Sequence, residues 1–187
     1  MKYLLLSAFA IMALAQWIVP ASMIRDKQEV LKKGQAWLFK TEPVDPTNPF
    51  VGKYIRLNFE VSQYFDSTSQ GFQTGEDVFV LLSRDTLGYA KVAGLSKSKP
   101  VNTDAFVQAS IDYVYADSDS LYNFRISYPF NEFYMEESKA PKAEKLYNEV
   151  NRQDTLTTAA RVKIWKGDAV TEDVLIDNKP ISSYLKK

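Results

Sequence analysis

Residues 49–61, "PFVGKYIRLNFEV", decide how this chain is read. From Tyr54 onward Ile55, Leu57, Phe59 and Val61 fall on one face, while Tyr54, Arg56, Asn58 and Glu60 fall on the other. That is the period-2 geometry of a strand with one side in a core. Gly52 permits a turn or bulge where the chain enters the strand. Upstream, residues 35–41, "QAWLFKT", bring apolar and polar residues in turn, and "EPVDPTNP" after them supplies three prolines for a turn or crossover loop. Downstream, strands are expected at 77–84, 88–94, 105–115, 121–127, 159–165 and 170–176. Gly75-Glu76, Asp85-Thr86, the run Asp117-Ser118-Asp119-Ser120, Gly167-Asp168 and Asp177-Asn178 punctuate them, several as hairpin connections. One helix is expected at 143–152, "AEKLYNEVNR", entered after Pro141, with Leu146, Tyr147 and Val150 as its apolar stripe. The fold class is mainly β (α+β): an antiparallel barrel or sandwich with one short helix over an opening.

Composition narrows the chemistry. The chain has 187 residues, and without an apolar leader of about 24 the remaining ~160 suffice for one domain with a sizeable core. Eleven Tyr and eleven Phe suit strands, whose faces bury rings. Lys plus Arg equals Asp plus Glu at 23 each, so no net field recruits nucleic acid, and none is expected as a partner. The absence of cysteine excludes disulfides, thiolate catalysis and thiolate metal sites. The absence of histidine removes the usual general base and the commonest zinc ligand. No catalytic residues, cofactor or metal site are expected.

The N-terminus carries a different signal. Residues 3–24, "YLLLSAFAIMALAQWIVPASMI", contain no charge, and a helix of about that length spans a hydrocarbon core of ~30 Å. Residues 1–24 therefore read as a transmembrane anchor. The competing reading is a signal peptide, with Lys2 as its basic start and Ala13-Leu14-Ala15 as a small-residue cleavage site. Trp17, Ile18, Val19, Met23 and Ile24 keep the segment apolar beyond that site and favour the anchor. Pro20 should kink this helix. Residues 25–34, "RDKQEVLKKG", form a polar helical stalk closed by Gly34, the residue most at ease in a left-handed helix end. Residues 35–187 form the single β-rich domain. Arg25, Lys27, Lys32 and Lys33 outnumber the positive charges before the anchor, which by charge counting alone would place the domain in the cytosol. A two-residue tail gives that rule little purchase, and the expected location is the inner (cytoplasmic) membrane with the domain on the periplasmic side.

The octad Gly52–Phe59, "GKYIRLNF", resembles the signature of the GDYXXLXY protein family. Gly52, Tyr54 and Leu57 match. The family's acid is Lys53 here and its last tyrosine is Phe59. Around the octad lie further likenesses: the apolar N-terminal helix, the polar stalk, a "PVDP" turn, the stretch "FYMEE" before a helix, and "VLIDNKPI" near the C-terminus. The resemblance implies a bacterial membrane-associated protein with an anchor and one extracytoplasmic domain, and it implies no particular activity. The departures exclude an essential carboxylate at 53 or phenol at 59, so the signature is expected to be architectural. Leu57 is then a core residue and Phe59 a packing ring. Tyr54, on the face opposite Leu57, either pairs with an aromatic on the next strand or lines a groove.

Other candidates have bland readings. Ser96-Lys97-Ser98-Lys99 satisfies the S-x-x-K pattern of serine acyl-enzymes, but Pro100 follows at once and the partner motifs are missing, so a solvated loop is expected. The run 117–120 begins like a calcium loop without its later ligands. Glu136 and Glu137 face opposite ways on an extended chain and cannot form an acid and base pair together, which leaves a pairing of one of them with Glu60 or Asp112 across the fold as the remaining arrangement. The aromatics Tyr122, Phe124, Tyr128, Phe130, Phe133 and Tyr134 suggest core packing, or a binding surface for carbohydrate or protein. The expected function is a non-catalytic accessory or protein-interaction module at the bacterial envelope. Its partners would be the membrane and another membrane protein, met through Tyr54, Arg56, Phe130, Phe133, Tyr134 and Glu136. The alternatives are a small-molecule or glycan-binding domain, and a hydrolase using carboxylates or Ser-Lys.

Overall fold

A computed structural model describes residues 2–43, 54–69, 71–116, 121–153 and 156–185, without the side chains of residues 2, 4–6, 8 and 10. Gly52, Lys53, the turn at 44–49 and the run 117–120 lie outside the described residues.

The chain begins with one continuous helix, α1 (Lys2–Lys33), which runs through Pro20 and joins the expected anchor and stalk without a break. It ends at Gly34, whose N–H donates to the Val30 carbonyl at 2.8 Å. The need for glycine differs from the expected one. Gly34 is not left-handed; instead a Cβ there would meet the Val30 carbonyl oxygen at 2.4 Å and the Ile164 amide nitrogen at 3.0 Å. Close approach of the helix end to a strand excludes any side chain. Val30 is buried at this junction, whereas large apolar side chains from Tyr3 to Ile24 are exposed. Among the described residues no helix is long and apolar enough to cross a membrane, so the expected transmembrane helix is present as a helix and unsupported as a span.

Two five-stranded antiparallel sheets form the domain. The first contains β1 (Gln35–Glu42), β3 (Asn58–Phe59), β10 (Thr158–Trp165), β11 (Asp168–Ile176) and β12 (Lys179–Pro180), in the order β12-β11-β10-β1-β3. The second contains β4 (Gln63–Asp66), β5 (Asp77–Arg84), β6 (Ala90–Ser96), β7 (Phe106–Ala116) and β8 (Tyr122–Ser127), in the order β4-β8-β7-β5-β6. Single parallel bridges, Leu38 with Tyr89 and Val107 with Gly167, stitch the sheets into a nearly closed barrel. A two-stranded ribbon, β2 (Tyr54–Arg56) with β9 (Glu132–Tyr134), lies beside it. The second helix, α2 (Ala140–Gln153), starts three residues earlier than expected and takes Pro141 into its first turn, where the missing N–H costs no helical bond. The hairpin joining β11 to β12 turns on Asp177 and Asn178, both at positive φ as a tight two-residue turn requires.

The decisive stretch keeps its expected faces but is not one strand. Ile55, Leu57 and Phe59 are buried, Tyr54 and Asn58 are half-buried, and Arg56 and Glu60 are exposed. Tyr54–Arg56 pairs with β9, whereas Phe59 pairs with Thr41 of β1. Between them the Leu57 N–H donates to the Asn131 carbonyl. A 3-10 turn, Glu60–Ser62, then passes the chain into β4 at the edge of the second sheet. The segment thus takes three strand partners in turn, β9, β1 and β8, while one face stays on a shared core. That core centres on the rings of Phe39, Phe59, Tyr128 and Phe130, whose centroids lie 5.0 to 5.9 Å apart in tilted and edge-on arrangements. Such geometry satisfies ring quadrupoles as well as burying area.

Candidate functional site

The signature residues divide by face. Leu57 and Phe59 are core residues, and Phe59 stands in the four-ring nest, where a ring without a hydroxyl packs. Tyr54 lies directly opposite Tyr134 in the ribbon, ring centroids 5.5 Å apart. Of the two readings of Tyr54, the pair with an aromatic on the neighbouring strand is the one present. Arg56 lies opposite Glu132, and the Tyr134 hydroxyl donates to Glu132 Oε2 at 2.6 Å. That bond raises the Tyr134 phenol above its usual range, with burial and the Glu132 charge adding to it. The outward face of the ribbon is therefore two tyrosines, one cation and one carboxylate. Tyr134 is 65% exposed, which makes this face available to a partner.

The other expected contact residues move. Phe130 is buried in the nest and Phe133 packs partly buried against the core, so neither offers a contact surface. Phe124 and Tyr128 are also buried. Tyr128 donates its hydroxyl to the Val61 carbonyl at 3.0 Å, and burial pushes its phenol far above the usual range. The aromatic run 122–134 is thus core packing with Tyr134 as its exposed end. Glu136 holds the entry to α2: its carbonyl accepts from Lys139 and Ala140, and its carboxylate accepts from Lys139 and Ser138. Lys139 keeps this carboxyl below its ordinary value. In the S-x-x-K stretch, Ser96 Oγ donates to the Ser98 carbonyl at 2.7 Å, and Lys97 reaches the Gly71 carbonyl and Glu76. Lys99 lies over the Phe106 ring. Glu60 pairs with Lys40 at 3.4 Å.

Three concavities were not legible in the sequence. One of about 340 Å³ gathers Asp77 and Asp168 with Ser110, Ser127 and Gln108. Another, about 510 Å³, separates β4 and the 3-10 turn before it from the start of β6. The third, about 450 Å³, has a floor of Thr41, Asn151 and Thr158 and a rim that includes Lys40, Glu60 and Arg152. Thr41 Oγ1 donates to Thr158 Oγ1 at 2.7 Å, and Thr158 donates to Asn151 Oδ1. Beneath lies Tyr147, fully buried, its hydroxyl directed towards Thr41 and Asn151 without forming a hydrogen bond. Residues 41 and 158 meet through the antiparallel pairing of β1 with β10, so no local motif announces them. Among the described residues no group of three or more acidic side chains is placed to hold a metal ion.

No curated protein and no solved structure matches this chain. The family model described as GDYXXLXY protein matches residues 16–174, a span that contains the ribbon, the aromatic nest, the second sheet and the first sheet except for β12 and the last two residues of β11, and the chain therefore belongs to the GDYXXLXY protein family.

Proposed function

We propose that this protein is a membrane-tethered, non-catalytic interaction module of the bacterial envelope, held by α1 and presenting the β2–β9 ribbon to another membrane protein. The observation that carries the tether is the bare apolar surface of α1. Ten large apolar side chains between Tyr3 and Ile24, among them Phe9, Ile11, Leu14, Trp17, Ile18 and Val19, are more than half exposed. They point to all sides of the helix. An in-plane amphipathic helix would confine them to one stripe, so apolarity all round favours immersion over surface adsorption. The run of 22 uncharged residues has the length of a span. With α1 as the tether, the tight junction of its end with β10 at Gly34 would hold the domain near the membrane surface.

Tyr54, Arg56, Glu132 and Tyr134 offer such a partner two ring faces flanked by opposite charges, the composition of a contact hot spot. The test uses tagged full-length protein crosslinked in membranes. The tether reading expects the protein in the pellet after alkaline carbonate extraction, at the uncleaved mass. Release into the supernatant, or a mature N-terminus at Gln16, overturns it. The ribbon reading expects a membrane protein to co-purify with wild type and to be lost from a folded Tyr54→Ala variant; identical recovery overturns it.

A further inference from the structure

The outer face of β4, β8 and β7 has a different character from the ribbon. Register places Gln63, Arg125 and Tyr113 in one cross-strand row and Phe65, Asn123 and Tyr115 in the next. The alternate row, Tyr64, Phe124 and Val114, packs on the core. A β-bulge between Ile111 and Tyr113 makes this possible. Ile111 is fully buried, so an unbroken alternation would have turned Tyr113 and Tyr115 inward; one extra residue, Asp112, turns both outward. Their rings stack, centroids 5.9 Å apart at 29°. Phe65, Tyr113 and Tyr115 remain 49%, 46% and 49% exposed.

Asn123 lies between Phe65 and Tyr115 and is only 6% exposed. Its Nδ2 donates to the Tyr115 hydroxyl at 2.8 Å, and its Oδ1 is buried with no hydrogen-bond partner. An unpaired buried acceptor is destabilising, and a donor brought to this position would relieve it. Arg125 is the one charge among the six outward positions, and Asn58 Oδ1 steadies its Nη2 at 3.0 Å. The remaining guanidinium donors suit a carboxylate.

We propose that this face binds a carboxylate-bearing glycan. The C–H faces of its pyranose rings pack on Phe65, Tyr113 and Tyr115. Its carboxylate meets Arg125, the one charge among those six positions. A sugar hydroxyl donates to Asn123 Oδ1 as the flanking rings part. Flat aromatic surface, one cation and an unsatisfied amide together match a ligand that is apolar on its ring faces, hydroxylated at its edges and acidic. The site is separate from the β2–β9 ribbon and does not depend on how the chain is tethered.

The test is calorimetric titration of full-length protein, in a zwitterionic detergent without a sugar headgroup, with a hexuronic acid oligomer and a neutral hexose oligomer of equal length. The expected result is saturable binding of the acidic oligomer, weakened at least tenfold for the neutral one. Tyr115→Ala and Phe65→Ala should each lose at least tenfold in affinity, and Arg125→Gln should erase the preference for the acid. All three positions reach solvent, and an unchanged melting temperature certifies each variant as folded. No saturable binding of the acidic oligomer, equal affinity for both oligomers, or affinities unmoved by the ring substitutions would overturn the proposal.

Discussion

At the scale of single residues, the family signature separates packing from contact. Phe59 is 1% exposed and touches three rings of the nest. Phe59→Ala should lower the unfolding free energy by about 3–5 kcal/mol, read from urea denaturation. Tyr54→Ala removes a half-buried ring paired on an outer ribbon and should cost about 1 kcal/mol or less. Equal losses would mean that Tyr54 belongs to the core after all. Tyr147 makes a sharper case. Burial pushes its phenol up to about 12, from an unfolded value near 10. A raised tyrosine pKa favours the neutral folded form, so its contribution is complete below about pH 10 and is lost as pH rises from 10 to 12. Two units correspond to roughly 3 kcal/mol. Tyr147→Phe should flatten that part of the alkaline unfolding curve, leaving Tyr128, whose phenol is raised by burial too. At neutral pH the same variant should be as stable as wild type or more stable by about 1 kcal/mol, because it deletes a buried hydroxyl without a hydrogen bond. The opposite faces of Tyr54 and Leu57 were legible from alternation alone. The environment of Tyr147 was not, since an apolar stripe on a helix does not say which polar atoms lie above it.

At the scale of elements, two glycines join pieces that must nearly touch. Gly34 admits no side chain between α1 and β10. Gly34→Ala should therefore destabilise the junction by about 1–3 kcal/mol, seen as a lower melting temperature and faster proteolysis near residue 34. Gly167 has φ +96°, and a Cβ there would stand 2.7 Å from the Phe106 ring. Gly167→Ala should loosen the β10–β11 turn against β7, and accelerated amide exchange at Gln108, whose N–H donates to the Gly167 carbonyl, would report it. Turn chemistry had marked both regions, Gly34 as a helix end and Gly167-Asp168 as a break between strands. The close contacts could not be marked, because they depend on elements 130 and 61 positions away in the chain. Strands of eight residues with clean alternation were also legible, whereas β4 and β9 are too short to hold a period.

At the scale of the whole molecule, the apolar helix and the barrel are built by opposite rules. The barrel buries most of its large apolar residues, and α1 displays its own. Deleting residues 2–24 should leave the barrel folded, with unchanged near-ultraviolet circular dichroism, and should abolish sedimentation with membranes; loss of the folded signal would show α1 to be part of the core. By itself the sequence determined the β class, the inward face of residues 54–61 and the uncharged apolar run at 3–24, because these are properties of local periodicity and composition. Only the tertiary structure decided that the signature segment serves two sheets and a ribbon, that Phe130 is core while Tyr134 is surface, and that Tyr113 and Tyr115 face outward. Those outcomes hang on partner choice and on a one-residue bulge, and a strand's own alternation is the same whichever neighbour it pairs with.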